Sequence, residues 1–72
     1  MNISVEPNND YRWKWDTHIS PKPTDAMRND MSKWLDEAVG KGGRYGKWVW
    51  YWDNIVLFLE HDDALAFQIA WS

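Results

Sequence analysis

The residues of this 72-residue chain that most resemble a metal or acid–base site are Glu60, His61, Asp62 and Asp63, together with His18. Consecutive residues at a strand-to-helix junction point in different directions, so this run is poorly placed to converge on one ion or proton. There is no cysteine and no Ser-His-Asp or HExxH pattern. So short a chain also leaves little volume for a substrate cleft of ~300 Å³ or more. We therefore expect no catalytic residue, no metal and no cofactor, and an enzyme is the least favoured class.

Seven tryptophans offer a second kind of chemistry, the stacking of nucleic-acid bases or sugars. Trp48, Trp50 and Trp52 alternate with other residues, as do Trp13 and Trp15. Spacing of two places each set on one face of a strand. Because such large side chains can fill the core of a very small domain, we interpret most of them as core residues.

Residues 41–46 (Lys-Gly-Gly-Arg-Tyr-Gly) form a glycine-rich basic segment that could cradle a phosphate. The segment lacks a Walker pattern and leads into a strand, whereas phosphate loops lead into a helix. A flexible connection between a helix and a strand is the better interpretation. Its Lys41, Arg44 and Tyr45 make it a candidate contact loop.

Composition limits the class of protein further. The length predicts one domain over residues 1–72. A net charge of −3 disfavours nucleic-acid binding driven by counterion release. No apolar run is long enough to span a membrane, and the first residues do not resemble a signal peptide. We expect a soluble protein of the cytoplasm.

The first half of the chain predicts two strands and a helix. Residues 2–6 alternate weakly and suit a short edge strand, and residues 11–19 read as a longer strand after the turn cluster 7–10. The helix begins after Thr24 as N-cap, runs to about Val39 and is followed by Gly40. Its apolar stripe has helical spacing and comprises Met27, Met31, Trp34, Leu35 and Ala38.

The second half predicts a hairpin and a final helix. Residues 47–52 and 55–60 are strands around Asp53-Asn54, a plausible two-residue turn. Regular pairing then sets Trp52 against Ile55, Trp50 against Leu57 and Trp48 against Leu59, and on the other face Tyr51 against Val56, Val49 against Phe58 and Lys47 against Glu60. Asp62 is the expected N-cap of a helix to about Ala70, although Phe67, Ile69 and Trp71 also alternate as a short strand would.

This order of elements predicts an α+β fold. The strand 11–19, the helix and the strand 47–52 suit a crossover between parallel strands. The strand 55–59, apolar on both faces, belongs between them. The result is a ferredoxin-like split β-α-β with a sheet of three to four strands, mostly antiparallel, and two helices on one face.

The face of the sheet without helices is the predicted binding surface. It carries an apolar centre with a charged rim, the arrangement of a protein interface. The candidate partner-binding residues are Arg12, Lys14, Arg44, Tyr45, Lys47, Val49, Tyr51, Val56 and Phe58. His18 and Glu60 share the face, as do Ile3 and Val5 if the first strand pairs.

Residues 58–72 end in an apolar strand, an acidic Asp-x-Ala turn at Asp62–Ala64, and a Phe67-x-Ile69-x-Trp71 finish. In this ending the chain resembles small uncharacterised proteins of tailed phages. The resemblance covers about the last 15 residues and carries over no functional residue, because the shared positions are core and cap positions. It implies a phage accessory protein in the host cytoplasm, a class similar to inhibitors of host enzymes or defence systems.

The sequence therefore predicts a non-catalytic protein-binding module whose partner is a host or phage protein. A homodimer that buries the open face against itself is a second way to cover that face. The alternative function is binding of single-stranded nucleic acid, with Tyr51 and Phe58 on bases and Lys14, Lys47 and Arg44 on phosphates.

Overall fold

The order of strands and helices agrees with the pattern in the sequence. The computed structural model describes residues 1–72. The elements are β1 (Asn2–Pro7), β2 (Trp15–Ser20), α1 (Asp25–Ala38), β3 (Trp48–Trp52), β4 (Ile55–Phe58) and α2 (His61–Trp71).

The four strands form one sheet in the order β1-β2-β4-β3, and every neighbouring pair is antiparallel. Strands β2 and β3 both run antiparallel to β4, so they are parallel to each other, and α1 connects them. The predicted α+β fold, with the last hairpin strand inserted between β2 and β3, is confirmed. The weakly alternating residues at the start of the chain form the edge strand β1 against β2.

The core lies between one face of the sheet and the two helices. Its fully buried side chains include Met31 and Leu35 of α1, Phe67 of α2, and Phe58 of β4. The rings of Phe58 and Phe67 are 5.7 Å apart. Thr17 is the one buried polar side chain, and its hydroxyl donates to the Val56 carbonyl at 2.9 Å. That bond removes the cost of burying an unpaired hydroxyl.

Helix α1 has the ends that its sequence predicts. The Thr24 hydroxyl accepts a hydrogen bond from the backbone N–H of Met27 at 3.2 Å, which satisfies one of the free donors of the first turn. Gly40 follows the helix with φ +130°, a conformation that a residue with a side chain adopts only with strain. The predicted apolar stripe is wrong at one position, because Ala38 is exposed.

Helix α2 differs from its prediction at the first turn. Glu60, and not Asp62, occupies the N-cap position, and its side chain makes no capping hydrogen bond. Asp62 and Asp63 lie inside the first turn, where negative charge interacts favourably with the helix dipole. The chain continues as helix to Trp71, so the terminal strand is excluded.

Strand β2 begins later than predicted. Residues 11–14 belong to the loop before Trp15, because short polar side chains bond the backbone there. The backbone N–H of Asp10 donates to Asn8 Oδ1 at 2.8 Å, and that of Arg12 donates to Asp10 Oδ1 at 3.1 Å. Residues 8–14 therefore form a structured loop, called the 8–14 loop below.

The β3–β4 hairpin has a β-bulge that the regular register does not contain. Trp52 pairs with Ile55 as predicted, but Trp50 pairs with Val56, Val49 with Leu57 and Trp48 with Phe58. The shift lies between Trp50 and Trp52, so Tyr51 is the extra residue. Beyond the bulge, the side chain of Trp52 no longer shares a face with those of Trp48 and Trp50.

Candidate functional site

The face of the sheet opposite the helices is the open face. The pairings align Glu6, Asp16, Leu57 and Val49 across the four strands in one row, and Ser4, His18, Ile55 and Trp52 in the next. None of these eight residues belongs to the buried core cluster. The β1 and β2 half of the open face is polar and the β4 and β3 half is apolar.

Two residues predicted for this surface belong to the core instead. Val56 and Phe58 are fully buried on the helix side of the sheet. The one-residue shift at the bulge exchanged the two faces of β4, since successive side chains of a strand alternate between faces. Ile3 and Val5 also face the helices, with Ile3 buried in the core and Val5 packed against it.

A groove of about 400 Å³ opens on the apolar half of the open face. It lies between the 8–14 loop, residues 44–45 and the strands β3 and β4. It is called the groove below. Its lining residues are Asp10, Arg12, Trp13, Arg44, Tyr45, Val49, Trp50, Tyr51 and Leu57. The volume exceeds what we expected of so short a chain. The lining contains neither a histidine nor a serine, and its one carboxylate is that of Asp10.

Trp13 and Leu57 form the floor of the groove. They are 9% and 6% exposed, yet neither belongs to the core cluster beneath the helices. The 8–14 loop thus buries a small apolar cluster on the side of the sheet that would otherwise be bare. Trp13 does not share the core face with Trp15, whose ring contacts His61 with centroids 4.1 Å apart.

Tyr51 and Trp52 form an exposed aromatic patch beside the groove. Each is 63% exposed, and their rings meet edge to face with centroids 5.8 Å apart. A bulge places two successive residues against one partner, which explains why adjacent side chains come together here. Tyr45 extends this surface from the preceding loop and is 83% exposed.

The loop of residues 41–46 is held by hydrogen bonds. The backbone N–H of Gly43 donates to the Trp48 carbonyl at 2.7 Å, and that of Lys47 donates to the Lys41 carbonyl at 2.9 Å. A Cβ at Gly46 would collide with the Lys41 carbonyl, and one at Gly42 would collide with the Trp48 ring. These contacts leave less freedom than the flexible connection that the composition predicts.

Two guanidinium groups flank the groove. Arg12 lies over the Trp13 ring at 5.2 Å and donates to the Gly46 carbonyl at 2.9 Å, which links the two loops. Arg44 lies over the Tyr45 ring at 5.6 Å. Stacking on an aromatic ring leaves the N–H groups at the edge of a guanidinium free to bond an anion.

The opposite half of the open face is acidic. The His18 ring lies 3.7 Å from a Glu6 oxygen and 3.8 Å from an Asp16 oxygen, and Asp16 also accepts a hydrogen bond from the Asn8 side chain. The surface thus changes from carboxylates on β1 and β2 to aromatic rings and guanidinium groups near β3. No group of three or more His, Cys, Asp or Glu side chains is placed to hold a metal ion.

Ion pairs fix the hairpin turn next to the aromatic patch. Asp53 Oδ2 lies 2.6 Å from Lys22 Nζ, and Asp53 Oδ1 lies 3.9 Å from Arg28 Nη1. The hydrogen bond from Lys22 is the main cause that lowers the pKa of Asp53, and the charges of Lys22 and Arg28 add to it. Arg28 also covers the Trp50 ring at 4.7 Å, so the turn is tied to α1.

Five of the nine predicted site residues line the groove: Arg12, Arg44, Tyr45, Val49 and Tyr51. Lys14 lies in the 8–14 loop, with its ammonium 3.4 Å from the Asp10 carbonyl. Lys47 lies near Asp63 at the start of α2, where it lowers the pKa of that carboxyl against the larger effect of burial, which raises it. The structure therefore separates Lys47 from the groove.

Sequence reasoning did not select five residues of this surface: Asp10, Trp13, Trp50, Trp52 and Leu57. A signal existed for Asp10, since Asn and Asp clusters bond their own backbone and end strands. The exposure of Trp52 depends on the bulge, for which we find no comparable signal.

The surface is thus an aromatic groove and patch in which Arg12, Arg44 and Asp10 line the groove, with the further carboxylates Glu6 and Asp16 towards β1. Neither α1 nor α2 has the length and apolar character that a membrane-spanning helix needs. Comparison with protein-family models, curated proteins and solved structures found no match to this chain.

Proposed function

We propose that this protein is a non-catalytic protein-binding module whose contact surface is the aromatic patch together with the groove. The observation that carries the proposal is the joint exposure of Tyr51 and Trp52, each at 63%, beside a concave apolar surface. Tyrosine, tryptophan and arginine are the residues most enriched at the energetic centres of protein interfaces. All three types occur together here.

The magnitude of the exposed surface supports a contact. Two large aromatic side chains exposed to this extent present roughly 250 Å². Covering that area would contribute about 6 kcal/mol. Association itself costs about 4–15 kcal/mol, so the patch can serve as an anchor but needs the groove and its charged rim to give a stable complex.

The resemblance of residues 58–72 to phage proteins gives the proposal a biological setting. In that setting the partner is a host enzyme or defence protein in the host cytoplasm, which this module would inhibit by covering a surface. Binding of single-stranded nucleic acid remains the second candidate because exposed rings stand near Arg44. Phe58 is buried and Lys47 lies away from the groove, so two of the residues first assigned to that role do not contribute.

Affinity capture from bacterial host lysate tests the proposal when it compares three baits. These are the wild-type chain, the double variant Tyr51→Ala/Trp52→Ala, and the control Ile69→Ala, which truncates a side chain on α2 that is 77% exposed. We expect proteins that wild type and control retain and the double variant loses. Identical captures by all three baits would reject the patch as the binding surface.

Light scattering on the same three proteins tests whether a second copy covers the patch. A dimer in wild type and control that dissociates in the double variant identifies the partner as the chain itself. Labelled single-stranded DNA and RNA, titrated at low salt, test the second candidate. Tight binding that falls steeply with salt would replace the proposed function by nucleic-acid binding.

A further inference from the structure

The groove carries a local charge opposite to that of the whole chain. Its ionised side chains are Arg12, Arg44 and Asp10, which gives two positive charges and one negative, whereas the chain has a formal net charge of −3. The other carboxylates of the open face, Glu6 and Asp16, lie towards β1 and do not line the groove. A ligand in the groove therefore meets guanidinium groups first.

The shape of the groove selects the rest of the ligand. Trp13 and Leu57 form an apolar floor, and Tyr45 and Tyr51 form exposed aromatic walls. A volume of about 400 Å³ accommodates one large side chain with some of its neighbouring backbone. Rigid aromatic walls bind such a side chain with little loss of conformational entropy.

We propose that the groove binds an acidic peptide segment of a partner protein, with an apolar side chain on the floor and adjacent carboxylates on Arg44 and Arg12. This inference rests on the proposed function and names its partner chemistry. A planar guanidinium pairs with a carboxylate through two parallel hydrogen bonds. Arg12 already donates one hydrogen bond to the Gly46 carbonyl, which orients it, while Arg44 contacts the Tyr45 ring.

A nucleic acid suits the same groove less well. Its strand would carry a negative charge at every nucleotide and would meet Asp10 within the groove and Asp16 beyond it. An acidic peptide needs only the carboxylates that flank its apolar anchor. The small number of cations in the groove therefore favours the peptide.

Fluorescence anisotropy with defined probes tests the inference on the full chain. The first probe is a fluorescein-labelled peptide with one phenylalanine flanked by glutamates. One control replaces the glutamates by lysines, another replaces the phenylalanine by alanine, and a labelled single-stranded oligonucleotide completes the set. We expect the first probe to bind at least about tenfold more tightly than each of the others.

Charge reversal at Arg44 locates the contact. Arg44→Glu should weaken binding of the glutamate peptide by about tenfold or more. Lys33 is an exposed residue of α1, across the sheet from the groove, and Lys33→Glu makes the same change of charge. This control should alter binding by less than about twofold. Arg44→Lys keeps the charge but loses the planar fork, so we expect an intermediate affinity. Circular dichroism confirms that each variant is folded.

Three results would overturn the inference: equal binding of the glutamate and lysine peptides, equal effects of Arg44→Glu and Lys33→Glu, or tightest binding of the oligonucleotide. Failure of the peptides does not decide the proposed function. If lysate proteins are still lost with Tyr51→Ala/Trp52→Ala, the binding module stands and only the acidic ligand is rejected.

Discussion

Two single substitutions, one at Phe58 and one at Tyr51, test the assignment of the two faces of the sheet. A regular hairpin would place both residues on the open face, whereas the bulge places Phe58 in the core and leaves Tyr51 exposed. Phe58 has no exposed surface and packs against Phe67 with ring centroids 5.7 Å apart. The two substitutions should therefore differ strongly in their effect on the free energy of unfolding.

The expected magnitudes follow from burial. Phe58→Ala would cost about 3–5 kcal/mol, against a total of roughly 4–11 kcal/mol for a domain of this length, so it could unfold the protein. Phe58→Leu is the measurable change and should cost about 1.5 kcal/mol. Tyr51→Ala removes a side chain that is mostly in water and should stay within about 0.5 kcal/mol of wild type.

Urea denaturation followed by circular dichroism measures both effects. For Phe58→Leu, the urea concentration at the midpoint should fall while the dependence of the unfolding free energy on urea stays unchanged. Its melting temperature should fall by about 6–12 °C. Tyr51→Ala should melt close to wild type while it weakens the binding contact. Equal destabilisation by the two variants would refute the register and the proposed contact surface together.

Three further substitutions test local features of the fold. Gly46→Ala should destabilise by about 1–3 kcal/mol in a thermal melt, because its Cβ would strike the Lys41 carbonyl; unchanged stability would show that the loop can move. Thr24→Ala should cost about 1 kcal/mol through loss of the cap on α1, with Thr24→Ser as the control that restores it. Asp53→Asn should destabilise at neutral pH, because it removes the partner of Lys22 and Arg28. The pKa of Asp53 is lowered on folding, so wild type loses this contribution in acid. The difference between the proteins should shrink as pH falls below the ordinary value of 3.8, and a constant difference would contradict the ion pairs.

The helices could be predicted because their determinants are local. The cap at Thr24, the buried stripe of Met31 and Leu35 and the positive φ at Gly40 all belong to one continuous segment of the chain, α1 and the residues that flank it. The strand order could also be inferred, since a strand that is apolar on both faces has few places other than the middle of a small sheet. Predictions of the helices and of the strand order therefore stay correct even when the first or last residue of an element is misplaced by one or two positions.

Side-chain direction in the sheet depends on single residues and was harder to infer. Alternation continues through Trp48, Trp50 and Trp52, so the sequence favours one face for all three. The structure interrupts this pattern with one extra residue, and a shift of one residue exchanges the faces of a strand. Alternation in the 8–14 loop was misleading for a different reason: the side chains of Asn8 and Asp10 accept hydrogen bonds from backbone N–H groups, and these bonds compete with strand pairing.

The bulge at Tyr51 explains both why the predicted hairpin register was wrong and why the candidate site has exposed aromatic rings. Without it, Trp52 would follow Trp48 and Trp50 to the helix side, and Tyr51 would alone represent β3 at this end of the open face. With it, the exposed rings of Tyr51 and Trp52 lie side by side, next to a groove whose floor is formed by Trp13 and Leu57. Bulges commonly redirect side chains beside functional sites, where a regular strand would serve stability better. The core accommodates Trp48, yet Trp52 stays largely in water. Exposure of so large an apolar ring to water is unfavourable, and a partner that covers the ring would remove that cost.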